Sequence, residues 1–286
     1  MNLMNFLTCP CDLSRLESNC QALICSECKK KFNIVNTNFV DFHNLNIPKW
    51  FGSLSDRFMS DYKNICDEKL IFSQNNLRPW GGNNVASHSV SFFYLNMYSA
   101  ISDFLSRNSV DKSLLVDTSS GGGLLTGKFA GTFDNIIFCE AHPDSIIHAY
   151  NFFARKDFLF LRTNYMSLPF ANSSVSNLIC IDTLERGATH ETYVLKEIKR
   201  VLNPGGIAVV DFHCRSFKET SIFHYSKDQI VKFLRDTGFG NFKIKKIGYY
   251  PTALPFFDSF LIYKIVDFTL GFFFKPMRYL VYIKNE

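Results

Sequence analysis

Val116-Asp117-Thr118-Ser119-Ser120-Gly121-Gly122-Gly123 ends a short apolar run and leads into a helical stretch, and the fold turns on how it is read. A sharp bend between strand and helix, with a ligand close to the backbone, needs residues whose Cβ is small or absent. This run supplies them. The next apolar run, Ile136-Ile137-Phe138-Cys139, stops at Glu140. An acid roughly 20 residues beyond a glycine bend suits a carboxylate that accepts hydrogen bonds from both ribose hydroxyls of a nucleoside lying over the strand ends. Together the two features predict a nucleoside-binding crevice.

Outward from this point, short apolar runs alternate with amphipathic stretches from Ser113 onward, the pattern of βαβ units. Strands are predicted at Leu114–Asp117, Ile136–Glu140, Phe158–Arg162, Asn177–Ile181, Gly206–Phe212, Phe242–Gly248 and Tyr279–Ile283. The expected fold class is α/β, a Rossmann-like seven-stranded mostly parallel sheet with helices on both faces. Upstream, two helical patterns flank a turn-rich patch, Ser73 to Asn84. The second, Ser89 to Ser106, sets Phe92, Phe93, Leu95, Tyr98, Ile101 and Leu105 mostly on one side. Three parts are expected: a β-rich module over residues 1–43, a helical connector over 44–112, and the α/β domain over 113–286.

Composition narrows the class. Of 286 residues, 47% are apolar and 20% charged, which excludes disordered, collagen-like and disulfide-miniature proteins. Aromatics reach 16%, with 31 Phe, and must fill a large core or line an apolar surface or pocket. Thirty-one basic against 26 acidic residues give +5, too small an excess to demand a nucleic acid partner. Met1 to Leu7 lacks the basic region and cleavage site of a leader, so the N-terminus reads as mature. Leu254 to Phe274 is interrupted by Asp258, Lys264 and Asp267, which argues against a transmembrane segment. It reads either as core or as an apolar cap in peripheral membrane contact, with Lys264, Lys275 and Arg278 toward lipid head groups.

In order and spacing, Val116 to Gly123, Glu140, Leu168-Pro169-Phe170 and Leu195 to Gly206 resemble class I S-adenosylmethionine-dependent methyltransferases of the type 11-like branch. The resemblance covers residues 113–286 and implies S-adenosylmethionine as cofactor. It implies that Asp117, Ser119, Gly121 and Gly123 surround the methionine part, Glu140 holds the ribose, Asn164 and Tyr165 flank the adenine, and Asp182 sits beside the methionine. Ser119 stands where that family most often has its first glycine, and Asn164 where an acid commonly accepts the adenine amino group. The implied activity is methyl transfer to a small or apolar acceptor: a quinone, a lipid or a secondary metabolite. The alternatives are an RNA base methyltransferase and a non-catalytic binding module of the same fold. His213, just past the fifth strand, is the candidate catalytic residue, because loops at strand ends are where open α/β sheets place function.

Nine cysteines, an odd number with five in the first 28 positions, suit a reducing, cytoplasmic setting and a metal site better than disulfides. Cys9-Pro10-Cys11 and Cys25-Ser26-Glu27-Cys28 form two close pairs, the donor set of a structural Zn²⁺. Cys9-x-Cys11 is one residue tighter than usual, and Cys20 is the alternative member. The stretch on to Phe42 resembles the zinc ribbon ahead of certain ribosomal RNA guanine methyltransferases, which is the basis of the RNA alternative. Lys29 to Lys31 read as a solvated face or a phosphate contact.

Overall fold

Strands that are covered on both sides by helices carry near-continuous apolar runs. Ile136–Glu140 and Phe158–Arg162 are of this kind, each buried up to its last residue. The computed structural model describes residues 3–19, 21–42, 88–123, 125–153, 155–185, 187–214, 223–249, 260–271 and 273–286. Cys20, the first helical pattern with its turn-rich patch, and residues 250–259 lie outside the described residues.

In chain order the strands are β1 (Leu16–Ser18), β2 (Ala22–Cys25), β3 (Lys31–Asn36), β4 (Phe39–Asp41), β5 (Leu115–Asp117), β6 (Ile136–Glu140), β7 (Phe158–Arg162), β8 (Val175–Leu184), β9 (Leu202–His213), β10 (Asn241–Ile247) and β11 (Arg278–Lys284). The helices are α1 (His88–Asn108), α2 (Pro143–Phe153), α3 (Ala188–Val201), α4 (Lys227–Asp236) and α5 (Phe260–Leu270). The strands form one sheet in the order β1-β2-β3-β4-β7-β6-β5-β8-β9-β11-β10. From β4 to β9 all neighbours are parallel; β11 lies antiparallel between β9 and β10.

The sheet therefore has eleven strands instead of the expected seven. All seven expected strands are present. The other four belong to the N-terminal segment, whose β4 pairs with the edge of β7: Phe39, Val40 and Asp41 lie opposite Phe160, Leu161 and Arg162. Asn38 donates its side-chain amide to Phe158 O at 3.1 Å, and Arg162 pairs with Asp41 at 3.1 Å. An edge strand exposes unpaired backbone groups, and here they are capped from within the same chain. Such pairing uses groups that every residue carries, so local sequence does not announce it.

Two apolar layers sandwich the sheet. Phe93, Met97 and Ile101 of α1, Ile146 and Ala149 of α2 and Tyr263 of α5 join one. Val194, Leu195 and Ile198 of α3, Ile230 and Leu234 of α4, and Phe32, Val40 and Phe42 of the N-terminal segment join the other. Strand order reverses between β5 and β8, which is where an open α/β sheet leaves a crevice at its carboxyl edge.

Candidate active site and metal centre

The glycine bend follows β5 at that reversal. Asp117 is 2% exposed; it accepts the Ser119 N–H at 3.1 Å and the Thr126 hydroxyl. Burial pushes its pKa up to about 7, against the pull of Thr126 and Ser119. Gly121 and Gly123 take φ of +52° and +82°. A Cβ on Gly123 would stand 2.9 Å from the Phe153 ring, so the bend closes against α2 only with glycine there. Ser119 Oγ donates to Ile181 O at 2.9 Å and accepts the Ile181 N–H at 3.2 Å, stitching the end of β5 to β8. Glu140 ends β6 with one oxygen on the Gly121 N–H at 2.9 Å and the other on the His142 N–H at 2.8 Å.

Across the crevice, Asn164 Oδ1 accepts the Met166 N–H at 2.9 Å, so the side chain shapes its own turn. Tyr165 is buried, and its hydroxyl lies 3.3 Å from His190 Nε2. His190 Nδ1 is 2.8 Å from Glu191, a fully buried acid that also accepts the Tyr225 hydroxyl at 2.7 Å. The Tyr225 N–H in turn donates to His213 O at 2.8 Å, linking this network to the end of β9.

At the ends of β8 and β9 a charged group converges. Arg278 bonds Asp182, and it reaches the fully buried Asp211 at 2.6 Å. Asp182 holds φ +60°, a conformation most L-residues avoid, while its N–H donates to Asp211 at 2.8 Å. His213 Nε2 lies 3.0 Å from Glu185 and 3.4 Å from Asp182, in neither case aligned as a hydrogen bond. Desolvation works against the Asp182 carboxylate, whose side chain is still 40% exposed, but Arg278 and His213 outweigh it and hold its pKa well below the usual range. Burial raises Asp211 despite Arg278. Burial and Arg278 press His213 downward, yet the neighbouring carboxylates of Asp182 and Glu185 leave its pKa raised. Asp182, Asp211 and His213 bring ligand atoms within 4.8 Å of one another, but a guanidinium already bridges the two acids. Arg278, which the apolar-cap reading places toward lipid head groups, is instead buried, with its guanidinium on Asp182 and Asp211. Sequence reading missed Arg278, Glu185 and Asp211 in this role, since they come from separate elements.

In the N-terminal segment, Cys9, Asp12, Cys25 and Cys28 bring ligand atoms within 4.8 Å of one another. Cys9 and Cys28 sulfurs are 3.6 Å apart, and Cys25 Sγ is 3.4 Å from Asp12 Oδ2. Cys11 faces away and accepts the Lys30 ammonium at 3.1 Å. Three thiols and a carboxylate at this spacing fit a tetrahedral, thiophilic ion.

Residues 116–210 match a family described as a methyltransferase domain. No curated protein matches the chain. Among solved structures, magnesium protoporphyrin IX methyltransferase from Synechocystis PCC 6803 with bound SAH is 11% identical, at TM-score 0.54 over 82% of this chain and 100% of that one. The (4+2)-cyclase SpnF is 14% identical at TM-score 0.55, over 82% and 94%. A complex between the Haloferax volcanii Trm112 methyltransferase activator and a methyltransferase gives 16% identity at TM-score 0.50, over 71% and 100%. The family match is confined to residues 116–210, and the fold of the chain is the one seen in magnesium protoporphyrin IX methyltransferase and in SpnF.

Proposed function

We propose that the chain moves a methyl group from S-adenosylmethionine to a small or apolar acceptor (a quinone, lipid or secondary metabolite) at the carboxyl edge of β5, β8 and β9. The observation that carries the cofactor reading is Glu140, aimed across the glycine bend by the Gly121 and His142 N–H groups. A carboxylate oxygen accepts more than one hydrogen bond, so ribose hydroxyls can join these donors. When bound, the cofactor supplies a methyl group already activated on a sulfonium. The chain's own work is alignment and exclusion of water. In this reading the bend from Asp117 through Ser119 and Gly121 to Gly123 receives the methionine end beside Asp182, and Asn164 and Tyr165 flank the adenine.

His213 is proposed as the general base. Its Nε2 takes the acceptor's proton, and the adjacent carboxylates of Asp182 and Glu185 stabilise the imidazolium that results. An apolar acceptor fits the face of α5, where Leu261, Ile265 and Phe268 are 67%, 58% and 70% exposed, followed by exposed Phe273 and Phe274. With Lys264 and Lys275 nearby, this face suits peripheral contact with a lipid surface. No helix among the described residues is long and apolar enough to cross a membrane. The metal proposed is a structural Zn²⁺ on Cys9, Cys25 and Cys28, with Asp12 as fourth ligand in place of the expected Cys11.

Titration calorimetry with S-adenosylhomocysteine tests the reading: micromolar binding is expected, abolished in Glu140→Ala. A folded wild type that binds none refutes it and favours a binding module. RNA as acceptor would appear as binding that weakens steeply with salt.

A further inference from the structure

Cys9 sits between two residues that are bonded to the cofactor crevice. The Thr8 N–H donates to Pro169 O at 2.9 Å, and Ser167 Oγ donates to Pro10 O at 2.6 Å. Leu7 forms a bridge with Phe170, and Phe6 packs on the Phe170 ring at 5.6 Å. All these contacts land on Asn164–Phe170, the segment whose first two residues flank the proposed adenine position. From the other side α3 grips the later half: Leu168 N–H donates to Glu197 at 2.6 Å, and Arg200 donates to Leu168 O and Phe170 O at 3.0 and 2.7 Å. The earlier half is held by turn bonds from Met166 and Ser167 to Asn164, by Tyr165 against His190, and by the N-terminal segment through Ser167.

We infer that the Cys9–Asp12–Cys25–Cys28 cluster is a metal-loaded clamp on the adenine side of the crevice, so that metal content sets cofactor affinity. Cys9, Asp12, Cys25 and Cys28 set their ligand atoms within 4.8 Å of one another, so an ion held there ties the knuckle around Cys9 to the turn between β2 and β3. Loading it fixes Thr8 and Pro10, and these fix Ser167 and Pro169. A segment already ordered has less freedom to lose when a ligand binds. The affinity part of this inference rests on the cofactor reading; the ordering part does not.

The test uses the full chain loaded with zinc and then stripped by a chelator. Stripping should raise hydrogen exchange at Met166 and Ser167 roughly tenfold while β5, β6 and β8 stay protected. It should also weaken S-adenosylhomocysteine binding by about tenfold. Cys11→Ser should keep its zinc, and Asp12→Ala should lose occupancy. Ser167→Ala retains every ligand, so it should keep its zinc and still show faster exchange at Met166. Unchanged exchange on stripping, or a wild type that takes up no zinc, overturns the clamp. If stripping unfolds the whole chain, zinc-loaded Ser167→Ala decides: wild-type exchange there overturns it. A wild type that binds zinc but no S-adenosylhomocysteine overturns the cofactor reading and leaves the exchange result to decide the clamp.

Discussion

Residue 119 shows a hydroxyl doing what bare backbone cannot, because Ser119 Oγ both donates to and accepts from Ile181 across the gap between β5 and β8. Ser119→Gly installs the residue most often found here in the methyltransferases the sequence resembles, yet should cost about 1–2 kcal/mol in urea unfolding; equal stability would show the staple to be idle. Asp117 carries a pH signature. Its folded pKa of about 7 lies above the ordinary aspartate value of 3.8, so between these values the folded state keeps a proton that the unfolded state gives up. Its contribution to stability is therefore whole below about pH 4, falls as pH rises, and is lost above about pH 7. Asp117→Asn should remove that slope from denaturation curves taken at pH 4 to 8, and a variant that keeps it disproves the assignment. If His213 accepts the acceptor's proton, the rate should climb with pH through an inflection above the ordinary histidine value, because its pKa is raised. His213→Asn should abolish that inflection and spare cofactor binding.

Elements differ in how plainly the sequence marks them. Leu114–Asp117 and Ile136–Glu140 were legible because each is a short apolar run that ends in an acid, and α1 because Phe93, Ile101 and Leu105 fall on one side of a helical pattern and all three are buried. Glu140 and Gly123 were legible for the same local reason: bend and acid lie on consecutive strands. Arg278, Glu185 and Asp12 were not, since each earns its place through partners far away in the chain. Caps belong to this scale. Ser226 opens α4 with a full capping box against Gln229, so Ser226→Ala should cost about 1 kcal/mol, measurable as a lowered melting temperature. Arg278, at the start of β11, is a heavier case: Arg278→Ala strands the buried Asp211 and should cost on the order of 3–5 kcal/mol in thermal unfolding. A loss below about 1 kcal/mol would mean that Asp211 is neutral in the native state.

At the scale of the whole molecule, one backbone ladder runs from the cysteine-bearing strands to the carboxyl edge of β9, which no inspection of the separate segments could reveal. Removing residues 1–43 should leave β7 with a naked rim and uncover the apolar layer that Phe32, Val40 and Phe42 now complete. The shortened protein is expected to aggregate on expression, whereas a monomeric, soluble product would show that the α/β part is self-sufficient. The placement of β11 has a further consequence for biosynthesis. β10 leaves the ribosome well ahead of β11, its sole neighbour among the described strands, so that flank of the nascent chain stays unzipped until the later strand threads between β9 and β10. Premature termination upstream of Arg278 would orphan β10 and also take away the guanidinium that neutralises Asp211, making unfinished polypeptides ready prey for quality-control proteases.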